Sequence, residues 1–245
     1  MKNDFLPGRK PVYEFISASP EQVDLVLVKK PVSKEFNRIL DKCRQHNIKY
    51  RLSSAQEMDR IFKGHNGILA RLKTIKSADA DMIRLKSSTS LFPVVLALDQ
   101  VQDAGNLGAL CRTMTAFGGM GIITPKDRSA HPGAGAMKAS AGAMTRIDLA
   151  QVTNLARTLD DYRDNGLWIY GAVAREGTSC FEMEFNFPAV LVLGGEEKGI
   201  RPNVLKRCHE QIHIPMPGGF ESLNVAQAGA VILGQMLRMT TVAGI

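Results

Sequence analysis

The alternation of short apolar runs with helical patterns after Leu91 constrains the fold of this chain more than any other feature. Five apolar runs of strand length follow one another: VVLALD (94–99), GIIT (121–124), LWIYGAV (167–173), AVLVLG (189–194) and QIHIP (211–215). Helical spacing of apolar residues lies between and after them, at about 106–117, 136–144, 152–164, 201–207 and 222–239. Strands that alternate with helices form a mostly parallel sheet that is covered on both faces. We therefore predict an α/β fold for residues 91–245.

The first 75 residues predict a smaller α/β unit. Apolar strand patterns at 23–28, 48–53 and 67–73 alternate with helical patterns at 33–47 and 54–62. The polar stretch that follows loses this periodicity, as a linker does. We expect a small N-terminal domain at 1–75, a linker at 76–90 and a larger domain at 91–245.

The net charge of +7 is concentrated in the N-terminal third of the chain. Residues 1–90 hold 18 Lys and Arg against 10 Asp and Glu, whereas residues 91–245 hold 13 against 14. A basic domain beside a nearly neutral one favours contact with phosphates, although the same charge can serve solubility alone.

The composition excludes several classes of protein. No apolar run approaches the roughly 18 residues of a membrane helix, and the N-terminus lacks an apolar signal core, so we expect a cytoplasmic protein without membrane contact. The four cysteines form no C-x-x-C pair, which favours buried thiols over disulfides or a zinc ribbon. Cys208, His209 and His213 invite a metal interpretation, but they lie on a strand-like pattern, and we expect no metal.

Three polar, glycine-rich segments each follow a predicted strand, at 99–113, 193–203 and 214–229. Ligands of parallel sheets bind in such loops, at the carboxyl ends of the strands. None of the three fits a phosphate-binding P-loop or a dinucleotide fingerprint, which disfavours a dehydrogenase. Single residues in these loops also have structural interpretations: Asn106 or Ser222 could cap a helix, and Glu196 could be a solvated charge. Arg112 is less easily explained in this way, because it follows directly on the face that its helix is expected to bury.

Taken together, the three segments resemble the motifs of the SpoU (TrmH/RlmB-like) family of SPOUT RNA 2′-O-ribose methyltransferases. The family pattern D-P-x-N-x-G-x-x-x-R-T is matched by DAGNLGALCRT (103–113), and G-x-E-x-x-G by GGEEKG (194–199). The third pattern, I-P-M-x-G-x-x-x-S-L-N-V, is matched by IPMPGGFESLNV (214–225). Ala104 and Ala226 depart from the usual Pro and Ser of the family, which leaves loop geometry and substrate choice open.

The N-terminal part resembles the substrate-binding domain of the same family more loosely. PGRKPVYEFI (7–16) and HNGILARLK (65–73) look like the beginning and the end of that domain. In the larger domain, KDRSAHPGAGAMKASAGA (126–143) looks like the D-R-S-A…K-x-S-x-G-A segment of the family. From this resemblance we expect RNA contacts at Arg9, Lys10, Arg71, Lys73, Arg128 and Lys138.

The resemblance implies a trefoil-knotted, dimeric catalytic domain that binds S-adenosylmethionine and needs no metal. It implies cofactor contacts at Gly194, Gly195, Gly199, Ile214, Met216 and Leu223. It implies catalytic roles for Asn106, Arg112, Glu196, Ser222 and Asn224. Because a guanidinium only donates hydrogen bonds, we expect Arg112 to orient the substrate rather than to accept its proton.

The substrate expected from the resemblance is a ribose 2′-hydroxyl of large-subunit rRNA, which the additional basic domain favours over tRNA. Guanosine is the favoured nucleotide, as in RlmB-like enzymes. Two alternatives stay open: a tRNA 2′-O-methyltransferase, and a SPOUT-like protein that binds RNA without catalysis.

Overall fold

Two β-sheets organise the computed structural model, which describes residues 4–73 and 77–242. Within those residues, four strands make up the first sheet and seven the second. Each sheet is built from a continuous part of the chain.

The first sheet is mixed, and three α-helices within residues 4–73 accompany it. Its strands are β1 (Phe5–Pro7), β2 (Val23–Lys29), β3 (Lys49–Ser53) and β4 (Ile68–Leu72), in the order β1-β4-β2-β3. The helices are α1 (Arg9–Ala18), α2 (Asn37–Gln45) and α3 (Ala55–Ile61). Strand β2 pairs in parallel with β3 and antiparallel with β4. Its residues Val26 and Val28 are fully buried, as in the middle of a small core.

The second sheet is parallel throughout its described pairings. Its strands are β5 (Phe92–Asp99), β6 (Gly119–Pro125), β7 (Leu149–Val152), β8 (Trp168–Ala172), β9 (Thr178–Ser179), β10 (Ala189–Gly194) and β11 (Glu210–His213). Their order is β7-β6-β5-β10-β8-β11-β9. Every residue of β5 is buried, because the strand lies at the centre of the sheet and both of its faces are covered.

Six helices accompany the second sheet in the described part of the chain. They are α4 (Ala80–Arg84), α5 (Ala104–Phe117), α6 (Ala134–Ala139), α7 (Leu155–Asp164), α8 (Pro202–Leu205) and α9 (Val225–Val242). Helices α5 and α6 approach each other closely: a Cβ on Gly108 would lie 2.4 Å from the carbonyl oxygen of Ala136. Gly229 of α9 packs in the same way against Leu110 of α5 and Leu193 of β10.

The predicted α/β character and the mostly parallel sheet are confirmed, but several elements were not predicted. The short strands β1, β7 and β9 and the helices α1 and α4 are among them. Helix α4 lies within the expected linker and packs on the second sheet, where Ile83 is fully buried against Gly121. The expected boundary at residues 75 and 76 lies outside the described residues.

A search of residues 4–73 and 77–242 finds no helix that is both long enough and apolar enough to span a membrane.

Candidate active site

Three loops meet at the carboxyl edge of the second sheet. The first follows β5, the second follows β10, and the third joins β11 to α9. Strands β5 and β10 are neighbours, and their last residues, Asp99 and Gly194, lie side by side in register. The loops that follow them are therefore adjacent in space, although they are far apart in the sequence.

One side chain from each loop joins a triangle of hydrogen bonds. The side-chain amide of Asn106 donates to Oε1 of Glu196 at 2.6 Å. The amide of Asn224 donates to the same oxygen and to Oδ1 of Asn106, both at 3.0 Å. The Glu196 carboxylate is thus held by two amides, and each amide is oriented by its partners. We call these three residues the polar triangle.

The helix caps position two corners of the polar triangle. Asp103 caps α5 by accepting the backbone N–H of Asn106 at 2.8 Å, so the Asn106 side chain is left free to point at Glu196. Asn224 caps α9 by accepting the backbone N–H of Ala226 at 2.9 Å through Oδ1. The capping interpretations of Asn106 and Ser222 are therefore wrong, since Asp103 and Asn224 are the caps.

A cavity of about 840 Å³ lies beside the polar triangle. Its wall includes all six residues expected to contact a cofactor: Gly194, Gly195, Gly199, Ile214, Met216 and Leu223. Glu196, Ser222 and Asn224 also line it. Buried apolar side chains, among them Ile200 and Ile232, form its inner face.

Glycine is suited to these positions of the cavity wall for two different structural reasons. A Cβ on Gly194 would lie 2.1 Å from the carbonyl carbon of Gly199, and one on Gly195 would lie 2.6 Å from the carbonyl oxygen of Gln100. These two glycines allow the chain to pass close to itself. Gly199 has a φ of +62°, and a Cβ there would meet no atom within 4 Å, so the space beside it is open to a ligand.

The cavity suits a ligand such as S-adenosylmethionine. Its size lies in the range of drug-sized ligand sites, about 300–1,000 Å³. Its apolar inner face matches an adenine ring, while the loops after β10 and β11 offer backbone N–H and C=O groups for polar atoms. Glu196 and Glu197 at the wall carry negative charge that suits a sulfonium or an ammonium group, while Glu221 is paired with Arg175 at 3.6 Å and Lys198 lies at the same wall.

A half-buried ion pair that was not predicted from the sequence holds the second loop. Asp99 is completely buried at the end of β5 and contacts Nη2 of Arg201 at 2.6 Å. Its other oxygen accepts the backbone N–H of Arg201 at 2.8 Å. The pair fixes the end of the loop that carries Glu196. Its only sequence signal is a carboxylate at the end of an apolar run.

Arg112 does not lie on the buried face of α5, which corrects the expectation. Its side chain is exposed, and it makes no hydrogen bond or ion pair with any described residue. It lies about 9 Å along the helix from Asn106 and roughly 120° around its axis. Arg112 borders neither the cavity nor the polar triangle of its own chain.

The expected RNA contacts fall into separate groups. Arg9 and Lys10 lie on α1 beside Lys34 and Arg38, around a small pocket. Arg9 pairs there with Glu35. Arg71 pairs with Asp24 across the first sheet, and Lys73 is exposed after β4. On the second domain, Lys138 is exposed on α6, and Arg128 lines a further cavity beside Asn106.

The three residues that suggested a metal have different surroundings: Cys208 Sγ lies 3.9 Å from the carbonyl oxygen of Val204, and Nδ1 of His213 is buried without a hydrogen-bond partner among the described residues. The His209 ring stacks on Trp168 with centroids 4.3 Å apart, and its Nδ1 accepts the backbone N–H of Ile169. Burial and the nearby Arg163 lower the pKa of His209. Within 4–73 and 77–242, no three His, Cys, Asp or Glu side chains are grouped as metal ligands.

Comparison with known proteins identifies families for both parts of the chain. Residues 5–78 match the family described as RNA 2′-O ribose methyltransferase substrate binding, and residues 93–234 match the SpoU rRNA methylase family. The 23S rRNA (guanosine-2′-O-)-methyltransferase RlmB of Xylella fastidiosa is 35% identical over 246 residues, 98% of each chain. RlmB of Haemophilus influenzae is 32% identical, over 94% of this chain and 96% of that one.

Solved structures resemble the whole chain as well. The SpoU methyltransferase AviRb from Streptomyces viridochromogenes, in complex with the cofactor AdoMet, matches with a TM-score of 0.72 at 21% identity. The match covers 97% of this chain and 90% of that one. The expected SPOUT, or α/β-knot, fold is therefore confirmed. On the match of residues 93–234 and the full-length relatives, the chain belongs to the SpoU rRNA methylase family.

Proposed function

We propose that this protein transfers a methyl group from S-adenosylmethionine to a ribose 2′-hydroxyl of 23S rRNA, with guanosine as the favoured nucleotide. The observation that carries the proposal is the polar triangle of Asn106, Glu196 and Asn224 at the wall of a cavity of cofactor size. The RlmB relatives, whose names state this substrate, support the choice of acceptor.

The cavity at Gly194, Ile214 and Leu223 would hold the cofactor, which supplies a methyl group already activated on a sulfonium. The chain has to orient the two reactants and to exclude water. Glu196 is fixed by two amides and is available at the cavity wall to accept a hydrogen bond. Ser222 lies at the same wall and offers a hydroxyl that can donate or accept.

Arg112 binds the substrate phosphate and orients the 2′-hydroxyl in this proposal. It lies outside the cavity of its own chain and has no partner among the described residues, so it is free to meet an anion. Because it is turned away from Asn106, a second copy of the chain would bring it to the reaction. We therefore propose a homodimer formed through the catalytic domain.

The apolar excess of α9 gives the dimer only limited support. Ile232, Leu233 and Met236 are buried within the chain, while Val231 remains 37% exposed. Light scattering at micromolar concentration checks the dimer directly. A monomer mass would contradict both the assembly and the role of Arg112 across it.

The roles that we propose for the two domains follow from their different net charges. We propose that residues 1–75 dock the RNA through Arg9, Lys10, Arg71 and Lys73, and that residues 91–245 bind the cofactor and carry the reaction. Residues 76–90 connect the two. Arg128 and Lys138 would contact RNA near the reaction site. A ribosomal RNA substrate places the protein in the cytoplasm, and the proposed reaction uses no metal.

The test is methyl transfer from labelled S-adenosylmethionine to a 23S rRNA transcript in the presence of EDTA. A 2′-O-methyl ribose blocks alkaline cleavage at its 3′ phosphate, which identifies the product and maps its position. A tRNA transcript of the same concentration is the control acceptor. Methyl transfer to tRNA alone would identify a tRNA 2′-O-methyltransferase. RNA binding without methyl transfer would identify a non-catalytic RNA-binding protein.

A further inference from the structure

A second cavity lies on the other side of the loop that carries Glu196. Its volume is about 680 Å³, and it is lined by Gln100–Asp103, Asn106, Arg128 and the loop at 195–199. The same loop forms part of the wall of the first cavity. The polar triangle therefore lies between the two cavities, and molecules held in them would meet there.

Two residues of the second cavity have a strained backbone. Gln100 has a φ of +64° and Arg128 a φ of +56°, a region that residues other than glycine rarely adopt. Such strain costs free energy and is found most often at functional sites. Glycine would relieve it at either position. Because the backbone conformation at Gln100 and Arg128 favours glycine, the side chains at these positions indicate a function.

The side chains of Gln100, Gln102 and Arg128 have no partner within the described residues. None of the three makes a hydrogen bond or an ion pair there, although all three line the cavity. A glutamine amide presents one donor face and one acceptor face, which is what the edge of a nucleobase requires. A guanidinium pairs with a phosphate in a bidentate manner.

The charge of the cavity excludes a purely anionic occupant. Three carboxylates, those of Asp103, Glu196 and Glu197, lie at its wall with two cations, Arg128 and Lys198. An RNA backbone alone would meet more negative than positive charge here. A nucleotide whose base carries N–H donors avoids this conflict, because amide and carboxylate oxygens accept from those donors. Guanine, with donors and an acceptor on one edge, has this pattern.

We propose that the second cavity receives the acceptor nucleotide, with its base edge on the amides of Gln100 and Gln102 and its phosphate on Arg128. The inference rests on the proposed methyl transfer and adds the groups that choose the nucleotide. Gln100 and Gln102 are specificity-determining residues in this assignment, since they contact the base rather than the reacting oxygen.

The experiment uses the full chain with Gln100→Gly and Gln102→Ala, and Ala141→Gly as a matched control. Ala141 has a φ of +50° and lines neither cavity, so its replacement relieves backbone strain without touching the proposed site. Three quantities are measured: the thermal midpoint, the affinity for S-adenosylmethionine, and kcat/KM on 23S rRNA transcripts. The transcripts carry each of the four nucleotides in turn at the position that the wild type methylates.

Gln100→Gly should keep or raise the thermal midpoint, by about 2–4 °C, because a strained residue becomes glycine. Ala141→Gly should do the same and leave nucleotide discrimination unchanged. Affinity for S-adenosylmethionine should stay within about two-fold in all variants. Gln100→Gly and Gln102→Ala should each lower kcat/KM for the preferred nucleotide, and its preference over the others, on the order of 10-fold, the size of one base-edge contact.

Loss of discrimination in either glutamine variant with intact cofactor affinity supports the assignment. Retention of wild-type discrimination in both overturns it while the methyl transfer itself stands. If Gln100→Gly fails to fold, Gln102→Ala decides alone. A wild type that binds S-adenosylmethionine and methylates no RNA would instead refute the proposed function, and this inference with it.

Discussion

Asn224 combines two tasks that substitution can separate. Its Oδ1 caps α9, and its amide donates to Asn106 and Glu196 at 3.0 Å each. Serine caps a helix about as well as asparagine but is too short to reach both partners, whereas alanine can do neither. Comparing Asn224→Ser with Asn224→Ala therefore isolates the cap, and comparing Asn224→Ser with wild type isolates the orientation of Glu196.

The two tasks should contribute differently to stability and to rate. Losing the cap costs about 1 kcal/mol, which lowers the thermal midpoint of a chain of this size by about 2–4 °C. The two donated bonds are partly exposed, and each contributes at most about 0.5–1.5 kcal/mol to stability. A Glu196 carboxylate that loses the Asn224 amide is held only by Asn106 and is less well oriented, and misplacement by about 1 Å can cost about 100-fold in rate.

We expect Asn224→Ser to stay within about 2–4 °C of the wild-type midpoint and to lose methyl transfer by about 100-fold. Asn224→Ala should be similarly inactive and should melt a further 2–4 °C lower, by about the value of the cap. Calorimetric unfolding and initial rates on 23S rRNA measure the two quantities. Activity of Asn224→Ser within about three-fold of wild type, at saturating cofactor, would remove the polar triangle from the mechanism.

Three further predictions concern other parts of the chain. Arg112→Ala should lose about 100- to 1000-fold in rate and keep its thermal midpoint, because the side chain is exposed and has no partner among the described residues. Arg112→Lys should also be impaired, because an ammonium cannot replace a bidentate guanidinium, and near-wild-type turnover of Arg112→Ala would remove Arg112 from the mechanism. A shortened chain that begins at Ser77, and so retains α4 with its buried Ile83, should bind S-adenosylmethionine but lose most RNA affinity and its salt dependence. RNA titrations of the shortened chain that match those of the full chain at both low and high salt would refute docking by the first domain. Burial raises the pKa of Cys111 and of Cys208 to about 12 and that of Cys43 to about 11, so these thiols stay protonated at about pH 8. Iodoacetamide should therefore label them only after denaturation, and rapid labelling of these three cysteines in the native chain would contradict this prediction.

The sequence predicted the centre of the fold and the meeting of the three loops. Strand β5 reads as an uninterrupted apolar run because it is buried on both faces, and parallel strands bring their carboxyl ends to one edge. That edge is where Asn106, Glu196 and Asn224 meet. This rule about parallel strands was enough to predict that the three motif residues lie close together.

Features that depend on packing between distant segments escaped prediction. Helix α4 buries only Ile83, so it leaves no periodic signal, and β7 is a half-buried edge strand with the mixed sequence LAQV. Arg112 was assigned to the wrong face because the next residue along a helix is turned by about 100°. The ion pair of Asp99 and Arg201 joins residues 102 positions apart, and no local pattern marks it.

The polar triangle also bears on how the chain folds. Asn106 and Glu196 are 90 positions apart, and Asn106 and Asn224 are 118 apart. Proteins dominated by such distant pairings fold slowly, because the entropy of closing long loops is lost before the contacts form. On the ribosome, the first corner of the triangle emerges more than a hundred residues before the last. Catalytic competence therefore appears late in biogenesis, well after the basic N-terminal domain has been synthesised.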